Sequence, residues 1–393
     1  MKNYILISQK LWFQEGPGVR KNQYTVDGVK LINVANLVDG KVDLSTSDRY
    51  VSNETAYGKY KHFLVDEGDF VIASSGIKVD YFDKKMGIIE KRHLPLCMNT
   101  STIRFKVLNE RELSIKYFMY YLKSNHFKEQ LTREITGSAQ LNFGPSHLKK
   151  MVFPYVPRVV QDKIVDILDQ IYKIEDALKS KAELLDKLVK SRFIELFGEV
   201  NHSNKFAYKR VLDFTKVISG GTPARNKPEY WSPQIIPWIK TTELQNNVID
   251  NAEERISGDG LNSSAAKVLP KNTVLIAMYG QGKTRGMTGF LTIEACTNQA
   301  CAAILPSEDF NPMFLWMYFI MSYDDLRDLA KGGNQPNLNC EIIKNYRVIC
   351  PPISLQNEFV DFFKQVDKSK LAVQKSLDEL EILKKSLMQK YFG

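Results

Sequence analysis

Residues 157–198 read PRVVQDKIVDILDQIYKIEDALKSKAELLDKLVKSRFIELFG, and residues 352–393 read PISLQNEFVDFFKQVDKSKLAVQKSLDELEILKKSLMQKYFG. The two stretches align without a gap at an offset of 195 positions, as Gln161 against Gln356 shows. Each opens with a proline and closes with a glycine, which is the usual asymmetry of helix ends. Repetition at such a long period predicts that the fold is built twice, with one long helix in each half.

Both stretches carry apolar side chains every seven residues, as expected of helices that pair along one stripe. One row contains Ile164, Ile171, Leu178 and Leu185 in the first copy and Phe359, Val366, Val373, Leu380 and Leu387 in the second. A row offset by four contains Leu168, Ala182, Val189, Leu196, Phe363, Leu377 and Tyr391. Glu175 and Lys370 interrupt this second row at the same place, so the break either fixes the register or lies at a frayed, exposed position. We expect the two helices to pair with each other.

The composition is that of an ordinary soluble protein, with 393 residues, 44% hydrophobic and 25% charged, enough for two or more domains. The net charge of +9 favours a polyanionic partner, although composition does not separate nucleic acid from an acidic protein or a membrane surface. The five cysteines have no paired spacing, which argues for a reducing compartment and against a zinc site. Neither the N-terminus nor the apolar run 313–321 fits a signal peptide or a membrane span, so a cytoplasmic protein is predicted.

The globular part before each long helix has the same predicted order of strands, one helix and a polar loop. Strands are predicted at 29–37, 69–76 and 101–108 and again at 235–244, 272–280 and 300–306. Helices are predicted at 113–131 and 312–330, and polar loops at 137–144 and 332–339. The predicted segments are a domain at 1–156, a helix at 157–198, a linker at 199–205, a domain at 206–351 and a helix at 352–393.

The two halves share scaffold positions but differ in the loops between them. The shared positions are Cys97, Asn99, Gly137, Gln140 and Asn142 in the first half and Cys296, Asn298, Gly332, Gln335 and Asn337 in the second. By contrast, EGPGVRKNQY at 15–24 stands where the second half has ISGGTPARNKPEYW at 218–231. Since loops on a rigid frame usually carry binding, unlike loops on a shared frame predict two recognition units of different specificity.

These features together resemble the specificity subunit of type I restriction–modification enzymes, over essentially the whole chain. The resemblance rests on the two Pro-x3-Gln helix starts, the duplicated helices, the stretch 218–244, AMYGQGKTRG at 277–286 and GGNQPNLN at 332–339. It implies an α+β chain with two similar target-recognition domains, each followed by a long helix. It also implies that the helices pair as an antiparallel coiled-coil spacer, giving a pseudo-twofold molecule. The loop at 15–24 departs from the family's glycine-threonine-proline pattern, so the first domain matches less closely.

The resemblance further implies a non-catalytic, DNA-binding subunit that reads a bipartite target. The implied partners are double-stranded DNA, two methyltransferase subunits and restriction–translocase subunits, without any membrane. No cofactor is expected on this chain, because S-adenosylmethionine belongs to the methyltransferase subunit.

Basic and polar residues in the loops are the candidate DNA contacts. No acidic residue occurs from 260 to 293, where a glycine-rich basic loop follows a predicted strand. Lysine and arginine neutralise phosphates, and arginine, glutamine and tyrosine can reach base edges. The predicted contacts are Arg20, Lys21, Asn22, Ser74, Ser75 and Lys78 in the first half and Lys240, Thr241, Thr242, Tyr279, Gln281, Lys283 and Arg285 in the second. Taken singly, each is as readily explained as a solvated surface residue.

A phosphate-loop interpretation of the same loop is disfavoured. Ala277-x4-Gly282-Lys283-Thr284 fits a relaxed pattern, but a true phosphate loop must open a helix. Here RGMTGFLT follows, which is strand-like, and Ala73-Ser74-Ser75-Gly76 in the other half lacks the motif. Nucleotide hydrolysis is therefore not expected.

Two other classes of protein remain open from the residues alone. A methyltransferase or nuclease with its own recognition domain would need catalytic motifs, and the nearest match to an Asn/Asp-Pro-Pro-aromatic loop is Cys350-Pro351-Pro352-Ile353. The five histidines form no ligand cluster, so no catalytic or metal residue is predicted. A protein-interaction scaffold with paired helices is the other alternative. Salt-dependent duplex binding would distinguish a DNA reader from a scaffold.

Overall fold

A computed structural model describes residues 3–135, 142–280, 282–330 and 337–393, and it confirms an α+β chain. The chain divides into two compact units: Met1–Leu178 with Lys375–Gly393, and Lys179–Gln374. Both divisions fall inside long helices, so each long helix contributes one part to each unit. The predicted domain limits at 156, 198, 205 and 351 stay a prediction.

The first unit is built from short strands followed by a helical layer. Its strands are β1 (Asn3–Leu6), β2 (Leu11–Glu15), β3 (Val29–Ile32), β4 (Leu37–Val38), β5 (Lys41–Val42), β6 (Tyr50–Val51), β7 (Phe70–Ala73), β8 (Met86–Ile88), β9 (Leu96–Met98), β10 (Thr102–Val107) and β11 (Val152–Tyr155). Its helices are α1 (Asn53–Tyr57), α2 (Ile115–Leu122), α3 (Asn125–Glu134), α4 (Pro145–Leu148) and the first part of α5 (Arg158–Phe197). The sheets have the orders β2-β10-β7-β8, β6-β3-β9, β1-β11 and β4-β5.

The second unit repeats this plan. Its strands are β12 (Tyr208–Arg210), β13 (Val217–Ser219), β14 (Ile236–Ile239), β15 (Asn247–Ile249), β16 (Glu254–Ile256), β17 (Val274–Ala277), β18 (Thr288–Leu291), β19 (Cys296–Thr297), β20 (Cys301–Ile304) and β21 (Arg347–Ile349). Its helices are α6 (Gly258–Asn262), α7 (Pro312–Met321), α8 (Tyr323–Asp328), α9 (Cys340–Asn345) and the first part of α10 (Ile353–Phe392). The sheets have the orders β13-β20-β17-β18-β15, β16-β14-β19 and β12-β21.

The strand pairings show that the two frames are the same. In the first unit β3 lies antiparallel to β6 and parallel to β9, and in the second β14 lies antiparallel to β16 and parallel to β19. The strand that enters each long helix pairs with the first strand of its unit, as β11 with β1 and β21 with β12. The units differ at the edges of this frame: in the second unit β15 pairs in parallel with β18, whereas the first unit has the two-stranded sheet β4-β5.

The single helices predicted at 113–131 and 312–330 are each two helices in the structure, so the predicted lengths were wrong. In the first unit Ser124 has an extended backbone that ends α2, and its hydroxyl accepts the Phe127 N–H to cap α3. Serine favours such caps because its side chain competes for backbone hydrogen bonds. In the second unit Ser322 separates α7 from α8, and its hydroxyl donates to the Tyr318 carbonyl at 2.7 Å.

A buried glutamine explains the Pro-x3-Gln start of α5. The Gln161 side chain is fully buried; its oxygen accepts the Ser114 N–H at 2.8 Å, and its amide donates to the carbonyls of Glu112 and Val156, both at 2.8 Å. These three backbone groups belong to the start of α2 and the end of β11, where helix and strand ends leave polar groups without partners. The glutamine therefore fixes α5 to the globular part of its unit.

The same clamp occurs at the start of α10. The Gln356 oxygen accepts the Asn311 N–H at 2.8 Å, and its amide donates to the carbonyls of Pro351 at 2.9 Å and Asp309 at 3.3 Å. Gln356 is also fully buried. The frame therefore repeats its buried polar contacts as well as its strand order.

The predicted helix seam is confirmed by burial. Along α5 and α10 the predicted apolar positions are buried or half-buried, and exposed residues lie between them. Within the second unit Asp186 pairs with Lys370 at 2.5 Å, while later in α5 Arg192 pairs with Glu358, which lies earlier in α10, at 2.8 Å. The two helices therefore run antiparallel.

The polar break in the seam forms ion pairs between the helices, so neither break residue is a frayed end. In the first unit Glu175 accepts from Lys384 at 2.7 Å, and the two side chains are 17% and 23% exposed. In the second unit Lys370 and Asp186 are 38% and 65% exposed. The same sequence position thus holds a largely buried pair in one unit and a solvated pair in the other.

No helix in the described part of the chain is long and apolar enough to cross a membrane. Among the described residues, no group of histidine, cysteine, aspartate and glutamate side chains could hold a metal ion.

Candidate nucleic-acid interface

The basic loop at 278–287 connects two antiparallel strands, β17 and β18. The Gly286 N–H donates to the Ala277 carbonyl at 2.9 Å, and the Met287 N–H donates to the Thr284 carbonyl at 3.0 Å. A strand therefore follows the loop, whereas a phosphate loop requires a helix whose N-terminal amides face the phosphates. This geometry agrees with the prediction that the segment is not a nucleotide-binding loop.

Three glycines give this loop its path. Gly280, Gly282 and Gly286 have φ values of +143°, +61° and +86°, which residues with a Cβ atom rarely adopt. A Cβ atom on Gly280 would also lie 2.7 Å from Cβ of Thr284. The path exposes the basic tip, since Lys283 is exposed and Arg285 is half-buried. Tyr279 is exposed at the base of the loop, and Gln281 lies outside the described residues.

In the turn after β14 the threonines are at least partly exposed, whereas the lysine is held in ion pairs. Thr242 is exposed and Thr241 half-buried, in a short 3-10 turn held by Glu243, whose carboxylate accepts the Lys240 N–H at 2.8 Å. The Lys240 ammonium lies 2.8 Å from Glu253 and 3.0 Å from Glu254, and these hydrogen bonds raise its pKa. Lys240 therefore stays charged, but its charge is already neutralised by two carboxylates.

Sequence reasoning missed Arg225, in the loop at 218–231. Its guanidinium lies 3.8 Å from the ring centre of Trp231 and 4.9 Å from that of Trp238, and it forms an ion pair with Glu254. Hydrogen bonding to Arg225 lowers the pKa of the Glu254 carboxyl, which stays ionised. The combination of arginine and tryptophan in a loop unlike its counterpart was the available signal, because stacked guanidinium groups are frequent at nucleic-acid sites.

The two unlike loops start from the same anchor. A Cβ atom on Gly220 would lie 2.0 Å from the Thr297 carbonyl oxygen, and one on Gly16 would lie 2.1 Å from the Asn99 carbonyl oxygen. Both glycines thus allow the chain to press against the segment that contains the repeated Cys-x-Asn motif. The loops at 15–24 and 218–231 diverge only after this shared contact.

In the first unit the predicted residues of the 15–24 loop lie together on the surface. Arg20, Lys21 and Asn22 are exposed at a 3-10 turn, in which the Arg20 N–H donates to Gln23 Oε1 at 2.9 Å. Arg49 also stacks on the neighbouring Tyr24 ring at 5.5 Å. This patch adds a second arginine that the sequence pattern did not indicate.

Of the three residues predicted after β7, one is inside the protein. Ser74 is only 1% exposed, and its hydroxyl has no hydrogen-bond partner among the described residues, so its side chain does not face solvent. Ser75 is half-buried and donates to the Ser101 hydroxyl at 2.6 Å, whereas Lys78 is exposed. Of these three, Lys78 is therefore the one with an exposed cationic side chain.

Residues 91–109 also contain no acidic residue, but one of the basic residues in this run, Arg104, is buried and structural. Arg104 is 4% exposed and donates to Asp69 at 3.1 Å and to the His62 carbonyl at 3.0 Å. Buried charges are paired in this way because the desolvation of an unpaired charge is costly. An acid-free stretch of sequence therefore does not by itself indicate an exposed cationic surface.

The buried cysteines of the repeated Cys-x-Asn motif, Cys97 and Cys296, are poor nucleophiles. Burial raises the pKa of the Cys97 and Cys296 thiols to about 11, so neither is a thiolate near neutral pH. The geometry of the two units instead offers exposed cations and hydrogen-bonding side chains on loops, which suits binding of a polyanion.

The duplicated frame, the paired helices and the basic loops are those of a binding protein, built from two similar recognition units. Residues 27–185 and 204–381 each match the type I restriction modification DNA specificity domain, and together they cover most of the chain. The chain belongs to this family of type I restriction–modification specificity subunits.

Similar proteins support the same assignment. The chain is 23% identical to the "Type I restriction enzyme EcoR124I/EcoR124II specificity subunit" of Escherichia coli, over 58% of its own length and 56% of that relative. It is 20% identical to the MjaIX specificity subunit of Methanocaldococcus jannaschii, over 84% of this chain and 83% of that one. The first match thus spans little more than half of the relative's length.

Solved structures share the fold. An S subunit of a type I restriction–modification system from M. genitalium superposes with a TM-score of 0.58, at 15% identity, over 100% of this chain and 96% of that one. A chain from a study of complex assembly and conformational transition in the type I R-M system gives a TM-score of 0.65, at 15% identity, over 99% and 97%.

Proposed function

We propose that this chain reads a bipartite DNA sequence, with one half-site recognised by each unit. The observation that carries the proposal is one frame with two different sets of exposed cationic loops. In the first unit these are the 15–24 loop and Lys78, and in the second the 278–287 loop, while the turn at Thr242 adds an exposed hydroxyl. Phosphate contacts by the lysines would supply affinity, and the unlike side chains around them would supply sequence preference.

We also propose that the long helices dock methyltransferase subunits. Val160, Ile167 and Ile174 on α5 are exposed at seven-residue spacing, on a face that the helix seam leaves uncovered. An apolar stripe of this kind suits a partner helix. The methyltransferase partner would hold S-adenosylmethionine and perform catalysis, and restriction–translocase subunits would join the same assembly.

Methylome sequencing of a strain that carries this chain and its methyltransferase tests the proposal. The expected motif is two short half-sites separated by a gap of unspecified bases. The complex should bind a duplex of this motif with an affinity that falls steeply with salt. The chain alone, incubated with labelled S-adenosylmethionine and DNA, should transfer no methyl group. Salt-independent binding or none would favour a protein scaffold, and transfer by the chain alone would make it an enzyme.

A further inference from the structure

The glycine-rich loop at 278–287 needs support from outside the hairpin. Glycines at positive φ give the loop many accessible conformations when it is unrestrained. A flexible loop loses conformational freedom when it binds, and this loss reduces affinity. Side chains that read base edges are therefore best held on a backbone that is already fixed. The residues that hold the loop are therefore part of its recognition chemistry.

Helix α8 supplies this support through Tyr323. The Tyr323 hydroxyl donates to the Lys283 carbonyl oxygen at 2.7 Å. Lys283 sits at the exposed tip of the loop, so the hydrogen bond fixes the backbone of the tip. A Cβ atom on Gly286 would lie 3.4 Å from the Tyr323 ring, which shows how closely the ring lies against the loop.

One turn further along α8, Arg327 holds the next part of the loop. Its Nη1 donates to the Arg285 carbonyl oxygen at 2.8 Å and to the Tyr323 hydroxyl at 3.2 Å. The guanidinium also lies 5.3 Å from the centre of the Tyr323 ring. Tyrosine and arginine thus form one bracket on two loop carbonyls, those of Lys283 and Arg285. A charged donor makes a stronger hydrogen bond than a neutral one.

We infer that Tyr323 and Arg327 are positioning residues for DNA recognition by the second unit, an inference that rests on the proposed function. They act through the loop backbone, so that the Lys283 and Arg285 side chains leave it in a fixed direction. Nη1 of Arg327 already donates to the loop carbonyl and to the tyrosine hydroxyl. The role inferred for Arg327 is therefore distinct from that of a phosphate-binding cation.

The first unit supports its equivalent connection from the equivalent helix. On α3, Lys128 pairs with Asp83 at 3.1 Å, and the Phe127 ring lies 5.4 Å from the Phe82 ring. Asp83 and Phe82 belong to the connection between β7 and β8. In both units the second helix of the pair therefore contacts this connection. In the second unit the contacts are hydrogen bonds to backbone carbonyls.

The test uses the full chain in complex with its methyltransferase and three duplexes. One duplex carries the complete target found by methylome sequencing, and the other two each have one half-site scrambled. Tyr323→Phe removes a hydroxyl without changing charge, and it should lower affinity for the complete target by about two- to tenfold. Discrimination against one scrambled half-site should fall by the same factor, while discrimination against the other stays at the wild-type value. The salt slope and the melting temperature should not change.

Arg327→Gln should have a larger effect on the same half-site, and Lys344→Gln is its control. Lys344 lies on α9 in the same unit, so this control also removes one positive charge but leaves the loop bracket intact. Wild-type discrimination in Tyr323→Phe would overturn the inference. So would an Arg327→Gln effect that is equal for both half-sites and lowers the salt slope by about one, because that is the signature of a phosphate contact. Failure of the wild-type complex to distinguish the three duplexes would instead refute the proposed function.

Discussion

The two units share a frame but differ in the loops placed on it. Both begin their unlike loops from a glycine packed on a carbonyl, and both fix their long helix with a buried glutamine. Between β17 and β18 the second unit has a glycine-rich basic loop, whereas between β7 and β8 the first has a 3-10 turn, Val79–Lys84. Duplication has therefore kept the contacts that hold the frame and changed the surfaces available for recognition.

The helix seam shows the same division between kept and changed contacts. The apolar positions repeat, but the polar break is a largely buried pair in the first unit and a solvated pair in the second. A buried pair is sensitive to the loss of one partner, while a solvated pair contributes little. The two halves of the seam should therefore respond differently to equivalent substitutions.

The largest effect is expected from a change of helix length. Both long helices run from one unit into the other, each over 40 residues or about 60 Å at about 1.5 Å per residue. Two extra residues after Ser180 and after its repeat Lys375 would rotate the following helix by about 200° and take the seam out of register. We expect this variant not to assemble, as measured by co-purification of the methyltransferase.

Four inserted residues at the same two places are the control. They add about 6 Å with a rotation of only about 40°, so the seam can adjust. The gap between half-sites should lengthen by about two base pairs at about 3.4 Å each, with both half-site sequences kept. Methylome sequencing gives the answer, and an unchanged gap would mean that the helices are not the spacer.

The second-largest effect is expected at the glutamine clamps. Gln161→Leu leaves one N–H and two carbonyl groups buried without partners, and Gln356→Leu does the same in the other unit. Each should lower the free energy of unfolding by about 2–4 kcal/mol. Chemical denaturation measures this, with Gln170→Leu as an exposed control that should change stability by about 0.5 kcal/mol or less. A neutral result at one clamp would show that the two frames are not held alike.

The sequence was sufficient for the features that depend on periodicity and repetition. The long helices, their seam and the α+β frame were predicted because a buried stripe and a repeated motif are visible along the chain. Ser74 and Arg104 lie inside the protein, and neither position follows from local composition. Tyr323 could not be connected to the loop either, since it meets Lys283, 40 positions away, only through the packing of α8.

A smaller effect is expected at the polar breaks of the seam. Lys384→Met removes the lysine partner of the largely buried Glu175 carboxylate and should cost about 1–3 kcal/mol of unfolding free energy. Lys370→Met removes a solvated partner of Asp186 and should cost about 1 kcal/mol or less. The smaller cost should also disappear in about 1 M salt, because exposed pairs are screened. Equal costs in denaturation experiments would contradict the difference in burial between the two units.

The smallest effect is expected when single phosphate contacts are removed. Lys78→Ala in the first unit and Lys283→Ala in the second should each lower the slope of log affinity against log salt by about 0.9. Neither should change the preferred sequence, because phosphate contacts do not read bases. Lys240→Ala is the matched control, since Glu253 and Glu254 already neutralise that lysine. Its salt slope should stay close to the wild-type value in duplex-binding titrations. A Lys240→Ala slope as low as that of Lys283→Ala would mean that phosphates displace the two glutamates, and that the turn after β14 binds DNA as strongly as the β17–β18 loop.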